Sequence, residues 1–297
     1  MAKMKGTIED EKEFANKEIE SIEHKQGYFF DAVNHIHLLN GRPLIGTSSM
    51  ASVLAKPLTW WAAGLAVEKL GWLYKGNKQV GFAPVADRLK KASEFKAKIP
   101  GMSDEEYLTL LDDAYKAHSI KLSSTAVAGT DMHEVMENYV KHCISKNGGA
   151  PDANYKLLAF GQKENQDKLQ ILIDWSILNV KRFLWSEVNC YSEKLWLGGI
   201  SDCGFEDKDG KYGILDFKSS KDIYLPQFWQ CIGYAIQLEE NGGFTPEGVK
   251  VLTLEKPIDY VCVLPFGMKN PTVQYNYDVE GGKEAVKAMI TLYKKLN

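Results

Sequence analysis

WLGGISDCGFEDKDGKYGILDFKSSKDIYLPQFWQCIGY, residues 196–234, is the stretch from which the remainder of the chain is read. Gly198–Phe205 and Tyr212–Ser219 are short alternating or apolar runs, the pattern of β-strands. Asp207-Lys208-Asp209-Gly210 between them carries a turn signal, with glycine where a positive φ is needed. A hairpin centred on Asp209 sets Asp202 opposite Asp216, and a slip of one residue would send one of the two acids to the other face. Side chains alternate along a strand, so Asp216 and Lys218 share a face while Leu215 and Phe217 take the other.

Two carboxylates about 4 Å apart repel by roughly 4 kcal/mol at an effective dielectric near 20. A divalent cation offsets that repulsion, and carboxylate oxygens with room for water suit Mg²⁺ or Mn²⁺. Read alone, the same residues also fit a lattice of acids and lysines on the wet face of an antiparallel sheet.

The neighbouring residues add a resemblance. Gly199-Ile-Ser-Asp202, followed at a distance by Leu215-Asp216-Phe217-Lys218, resembles motifs II and III of the PD-(D/E)XK nucleases. Downstream, Gln230-Cys-Ile-Gly-Tyr234 resembles the Gln-x-x-x-Tyr motif of the RecB-like exonuclease branch, and upstream Gly129-Thr-Asp-Met-His133 resembles its Gly-x-x-x-His helix start. The matches lie in the family's order and cover about residues 122–264, with only a loose likeness before that. The segment Arg42–Trp61 is loosely similar to a lead-in of phage and mitochondrial genome-maintenance exonucleases, but Ser48-Ser49-Met50-Ala51-Ser52 departs from that pattern.

The resemblance implies an α/β (α+β) chain with a restriction-endonuclease-like core, a central mixed β-sheet flanked by helices in α-β-β-β-α-β order. It divides the chain into a mostly helical N-terminal region with a β-hairpin, 1–121, possessing a candidate DNA-guiding role, and a nuclease core with a C-terminal helix, 122–297. The implied activity is Mg²⁺-dependent exonuclease hydrolysis of DNA from free, single-stranded ends, in phage-type replication, recombination or repair. Two alternatives share the fold: a structure-specific or restriction-type endonuclease, and a catalytically inactive DNA-binding module. The implied catalytic set is Asp202, Asp216, Lys218, Gln230 and Tyr234, with one or two ions held by His133, Asp202, Asp216, the carbonyl of Phe217 and Glu187. Ser219, Ser220 and Lys221 follow directly with hydroxyl and ammonium donors suited to phosphate, and Gln227 lies on the helix face of Gln230 and Tyr234. Some relatives carry an iron–sulfur cluster on one early and three late cysteines. That late group is missing here, so no cluster is expected.

The bulk properties of the 297 residues are those of a globular protein, 44% hydrophobic and 25% charged. A net charge of −3 rules out a global basic field and leaves room for a local positive track. Five scattered cysteines, with no paired spacing, read as reduced thiols. No apolar run reaches the length of a membrane span, and the charged start lacks a signal core, so the expectation is a cytoplasmic protein of a bacterial or phage-infected cell with no membrane partner.

In chain order, 7–25 reads as a charged helix or arm, and Asn40-Gly41 as the turn of a hairpin that carries His35 and His37 as ordinary surface histidines or a metal pair. Thr47-Ser48-Ser49 caps a helix to Leu54, and 58–73 is an apolar helix whose Trp60, Trp61 and Trp72 either pack in a core or stack bases. The run Arg88, Lys90, Lys91, Lys96, Lys98 is either a phosphate-tracking face or a solvated one. Ser103–Glu106 is a capping box for a helix toward His118. A further helix, 124–146, buries Met132, Val135, Met136, Tyr139 and Val140, with His133 at the edge of that stripe and Glu137 one turn on as a partner for its ring. Lys163–Ser186 reads as a helix and Glu187–Tyr191 as the first core strand, with Glu187 either a ligand or surface decoration. Pro226 opens a helix that stops at Gly242-Gly243, strands follow at 249–254 and 258–264, and Lys283–Leu296 closes the chain as an amphipathic helix.

Overall fold

The computed structural model describes residues 26–54, 59–73, 84–156 and 163–296. The charged segment 7–25, Lys56-Pro57, the side chains of Trp60 and Trp61 and residues 74–83 lie outside the described residues. Contacts divide the chain into two compact units, one of residues up to Ala55 with Met132–Asn297, the other Lys56–Asp131. The expected division between 121 and 122 is therefore replaced by one in which the first strands join the larger unit.

Those strands are β1 (Tyr28–Asp31), β2 (Ile36–Leu39), β3 (Arg42–Pro43) and β4 (Ile45–Gly46). Asn40 and Gly41 both take positive φ, 51° and 72°, the tight turn that pairs Leu39 with Arg42. His35 and His37 do not share a strand face. His35 sits in the β1–β2 turn at φ 56°, and His37 is buried with its Nδ1 2.7 Å from the Tyr28 hydroxyl. Burial, aided by His35, lowers the His37 pKa to about 4, so it is a neutral core residue rather than a surface one. Helix α1 (Thr47–Ala51) continues as a 3₁₀ turn to Leu54. Thr47 does not cap it: its hydroxyl donates to the Gly198 carbonyl at 2.9 Å and accepts from Gln237 Nε2 at 2.8 Å.

The smaller unit contains α2 (Thr59–Lys69), α3 (Val85–Lys96) and the start of α4 (Asp104–Lys146). Trp72 lies under the Arg88 guanidinium at 5.7 Å, and Lys91 pairs with Glu68 at 3.4 Å, so part of the basic run is spent inside the unit. The capping box opens α4 as expected, Glu106 N–H donating to Ser103 Oγ and Ser103 N–H to Glu106 Oε2. Where two helices were expected there is one, because nothing between His118 and Ser124 breaks it. Gly129 costs only about 1 kcal/mol inside a helix.

The larger unit is built on a mixed sheet. Helix α5 (Lys163–Asn179) ends seven residues before the expected Ser186, and Val180–Ser186 belongs to strand β5 (Val180–Ser192). The reason is chemical: Val180, Phe183 and Trp185 are β-branched or aromatic and bury against the sheet's neighbours. Strands β6 (Leu197–Asp207) and β7 (Tyr212–Lys218) complete an antiparallel meander. Helix α6 (Leu225–Asn241) follows, then β8 (Gly243–Phe244), β9 (Lys250–Leu252), β10 (Tyr260–Pro265), β11 (Gln274–Asn276) and α7 (Val279–Leu296). The sheet order is β11-β10-β7-β6-β5-β8-β9, with β4 beside β6, and β10 runs parallel to β7. A parallel pair needs a crossover, which α6 supplies.

Helices cover both faces. Ile214, Val261 and Val263 pack with Cys231, Ile232 and Ala235 of α6 and Val286 and Ile290 of α7. Leu215, Phe217 and Phe205 pack on the other side with Met136, Tyr139 and Val140 of α4 and Leu169 and Leu172 of α5. The meander closes tightly at Gly204, where the Trp185 ring lies so near that an added Cβ would stand 2.0 Å from it. Gly204→Ala is expected to cost about 1–3 kcal/mol of stability by overpacking. Chemical denaturation reads this directly, and an unchanged midpoint would show that the indole can yield.

Candidate active site

The β6–β7 turn sets the register of the two strands that carry the acids. Asp207 Oδ1 accepts from the N–H groups of Asp209 (2.9 Å) and Lys211 (2.8 Å), and Gly210 takes φ 81°. The pairs Gly204–Ile214 and Cys203–Leu215 result, which brings Asp202 across from Asp216, the register read from the sequence. There β6 leaves the ladder and Asp202 Oδ2 accepts the Phe217 N–H at 2.7 Å in its place. Asp216 is only 1% exposed, and its Oδ2 has no hydrogen-bond partner. Lys218 Nζ stands 2.7 Å from that oxygen as a charge pair without hydrogen-bond alignment.

From α4, His133 reaches the same corner, its Nδ1 3.7 Å from Asp202 Oδ2 and its ring edge-on to Phe217 and Phe266. Burial, with Lys218, holds its pKa below the usual histidine range against the pull of Asp216, Glu137 and the Phe217 backbone, so the imidazole is a neutral nitrogen donor. Burial and then the Asp216 charge push Asp202 up to about 8. For Lys218 burial favours the neutral amine, but Asp216 and then Asp202 outweigh it and raise the pKa, so the ammonium persists well past neutrality.

Glu187 enters from β5. It lies between the pairs Ser186–Cys203 and Val188–Ser201, hence across from Asp202, and takes φ 46°. Few non-glycine residues adopt that conformation, which here re-aims the carboxylate toward α4. Lys141 Nζ is 3.9 Å from Glu187 Oε2 and also bonds Glu137. Burial and then Glu137 raise Glu187 to about 7. The hydrogen bond of Glu137 thus goes to Lys141, not to the His133 ring it was expected to orient. Lys141 itself was missed, although 133, 137 and 141 form one helical stripe that the sequence displays. Phe266, against His133, carried no readable signal.

Helix α6 contributes Gln230 and Tyr234, joined by a 2.6 Å bond from Gln230 Nε2 to the tyrosine oxygen. Burial, then Asp216 and Asp202, raise the Tyr234 phenol far above its usual value, so it stays protonated. Gln227 is engaged within the chain: its Oε1 accepts the Tyr224 N–H at 3.0 Å and its Nε2 donates to Ser220 Oγ at 3.0 Å. It braces the loop after β7. Ser219 and Ser220 are half-buried there, and Lys221 is exposed.

No protein-family model matches the chain, and no curated protein matches it. The five cysteines are buried and unbridged, and no described helix is long and apolar enough to cross a membrane. Among the described residues, no three His, Cys, Asp or Glu side chains are gathered as a ready metal cage. The fit of a cation therefore rests on the Asp202–Asp216 pair and on the buried Asp216 Oδ2, a hard-oxygen donor that makes no aligned hydrogen bond and is charge-paired with Lys218.

Between the ordinary aspartate value of 3.8 and about 8, the folded chain keeps a proton on Asp202 that the unfolded chain has released, so stability falls as pH rises through that window. Asp202→Asn retains an acceptor for Phe217 and removes the titration. In EDTA, the urea midpoint of the wild type should drop relative to that of the variant from about pH 4 to about pH 8. Parallel midpoints over the range would contradict the raised pKa.

Proposed function

We propose that this protein is a Mg²⁺- or Mn²⁺-dependent deoxyribonuclease of the PD-(D/E)XK superfamily, RecB-like branch, acting as an exonuclease on DNA ends. The observation that carries the reading is the buried Asp216, with one oxygen in no aligned hydrogen bond, set between Asp202 of the neighbouring strand and Lys218 of its own, which pairs with it. The run α5-β5-β6-β7-α6-β10, with β10 parallel to β7, supports a restriction-endonuclease-like core. The order of His133, Asp202, Asp216, Lys218, Gln230 and Tyr234 along the chain supports the branch.

Asp202, Asp216 and the Phe217 carbonyl would hold the ion, with His133 as a nitrogen donor and Glu187 on the flank. When bound, the ion lowers the pKa of a coordinated water and neutralises charge on the phosphate. Lys218, kept cationic by its two carboxylate neighbours, donates to the attacking water or to a phosphoryl oxygen. Tyr234 accepts from Gln230 and keeps its own proton to donate toward the acids or the substrate. Phe217 and Phe266 bracket His133 with apolar surface and narrow the access of bulk water to it.

Asp216→Ala and Lys218→Ala should each reduce Mg²⁺-dependent degradation of end-labelled DNA at least about a hundredfold, with circular dichroism unchanged. Full activity in either variant would end the proposal. A circular single-stranded substrate should survive the wild type; its cleavage would identify an endonuclease of the same fold.

A further inference from the structure

The parallel pairing of β7 and β10 sets Lys218 beside Pro265 at the strand ends. The loops that leave those ends therefore emerge side by side, next to the Lys218 ammonium. They are in close contact: a Cβ on Gly267 would stand 2.0 Å from the Ser219 carbonyl oxygen. Together with α5 they wall a groove of about 730 Å³ that presents Lys168, Lys221, Lys269 and Asn270. The groove lies near the candidate site along the chain: Gly267 in its wall follows Phe266, whose ring is 5.5 Å from that of His133, and Lys221 follows Lys218 by three residues.

We propose that this groove is a phosphate-binding subsite, in which Lys221 and Lys269 hold the backbone of the single strand flanking the bond to be cut. The proposal rests on the nuclease reading and adds where the strand runs. Charge selects the ligand. Three lysines face one acid, Asp167, in a chain whose net charge is −3. Ile171, Met268 and Pro271 add apolar wall against which a sugar can rest. Gln227, bonded to Ser220, keeps the loop bearing Lys221 in place and acts as a positioning residue.

Lys221→Ala/Lys269→Ala tests this, with Lys294→Ala on α7 as control. Binding of a fluorescein-labelled single-stranded oligonucleotide is followed by anisotropy in EDTA against salt. Removing one lysine–phosphate pair on a single strand lowers the slope of log K on log salt by about 0.7, so the double variant should show a slope smaller by about 1.4. In Mg²⁺ its KM should rise while kcat holds, as for binding made equally in ground and transition states. The control should match the wild type, and all three proteins should melt together. If the wild type degrades DNA and the double variant keeps its salt slope and KM, the groove is not the subsite and the nuclease reading stands. If the wild type neither binds nor cuts DNA, both fall.

Discussion

The fold is organised around a repulsion. Asp202 and Asp216 are on neighbouring strands, in a register fixed by Asp207 and Gly210 at the far end of the hairpin. Two like charges in a half-closed corner are unfavourable, and the protein arranges a set of counter-interactions around them: Lys218 on Asp216, the Phe217 N–H on Asp202, the His133 ring beside it. None of these would meet if β7 slipped by one residue, since Asp216 and Lys218 would then turn into the layer of Leu215 and Phe217. The cost of placing those two charged groups in the apolar layer of Leu215 and Phe217 is what opposes the slip.

The N-terminal strands serve the same corner from behind. Thr47 bonds the Gly198 carbonyl and Gln237 of α6, so one buried hydroxyl fixes β6 and α6 to each other. Gly199, three residues before Asp202, is hemmed in by Thr47 and the Tyr234 ring, where a Cβ would stand 2.5 Å and 2.6 Å from them. That closeness lets Tyr234 approach the acids. Residues that looked like a helix cap in the sequence are thus part of the support of the site.

What was legible in the sequence is what depends on local rules. The hairpin register followed from turn chemistry, the α6 boundaries from Pro226 and Gly242, and the neighbourhood of His133, Asp202, Asp216 and Lys218 from a motif order that the resemblance supplied. What failed depended on tertiary partners. Val180–Ser186 carries enough apolar residues to pass for the end of a helix, and only pairing with β6 makes it a strand. The unbroken α4 is split in the sequence reading because the buried stripe at 132–140 reads as a separate helix beginning at 124. The positive φ of Glu187 has no signature in a single glutamate, and His37 is buried against Tyr28 and Phe30, with Tyr28 held in turn by Asn189 and Tyr191 from distant positions.

The charge balance of the corner explains why its acids titrate as they do. Four carboxylates, Glu137, Glu187, Asp202 and Asp216, face two ammonium groups, Lys141 and Lys218, while His133 is held neutral. Two positive charges are lacking. Burial first, and then Asp216 beside Asp202 and Glu137 beside Glu187, raise these two acids to about 8 and about 7, so both hold protons that offset the charge; they lie across from each other on β6 and β5. On the proposed nuclease reading, one divalent cation would carry the same charge and displace both protons, so its binding would be coupled to proton release. Protons on two of the four acids keep the corner close to neutral, which lets the fold tolerate them together, and the proposed ion would preserve that balance by taking the protons' place.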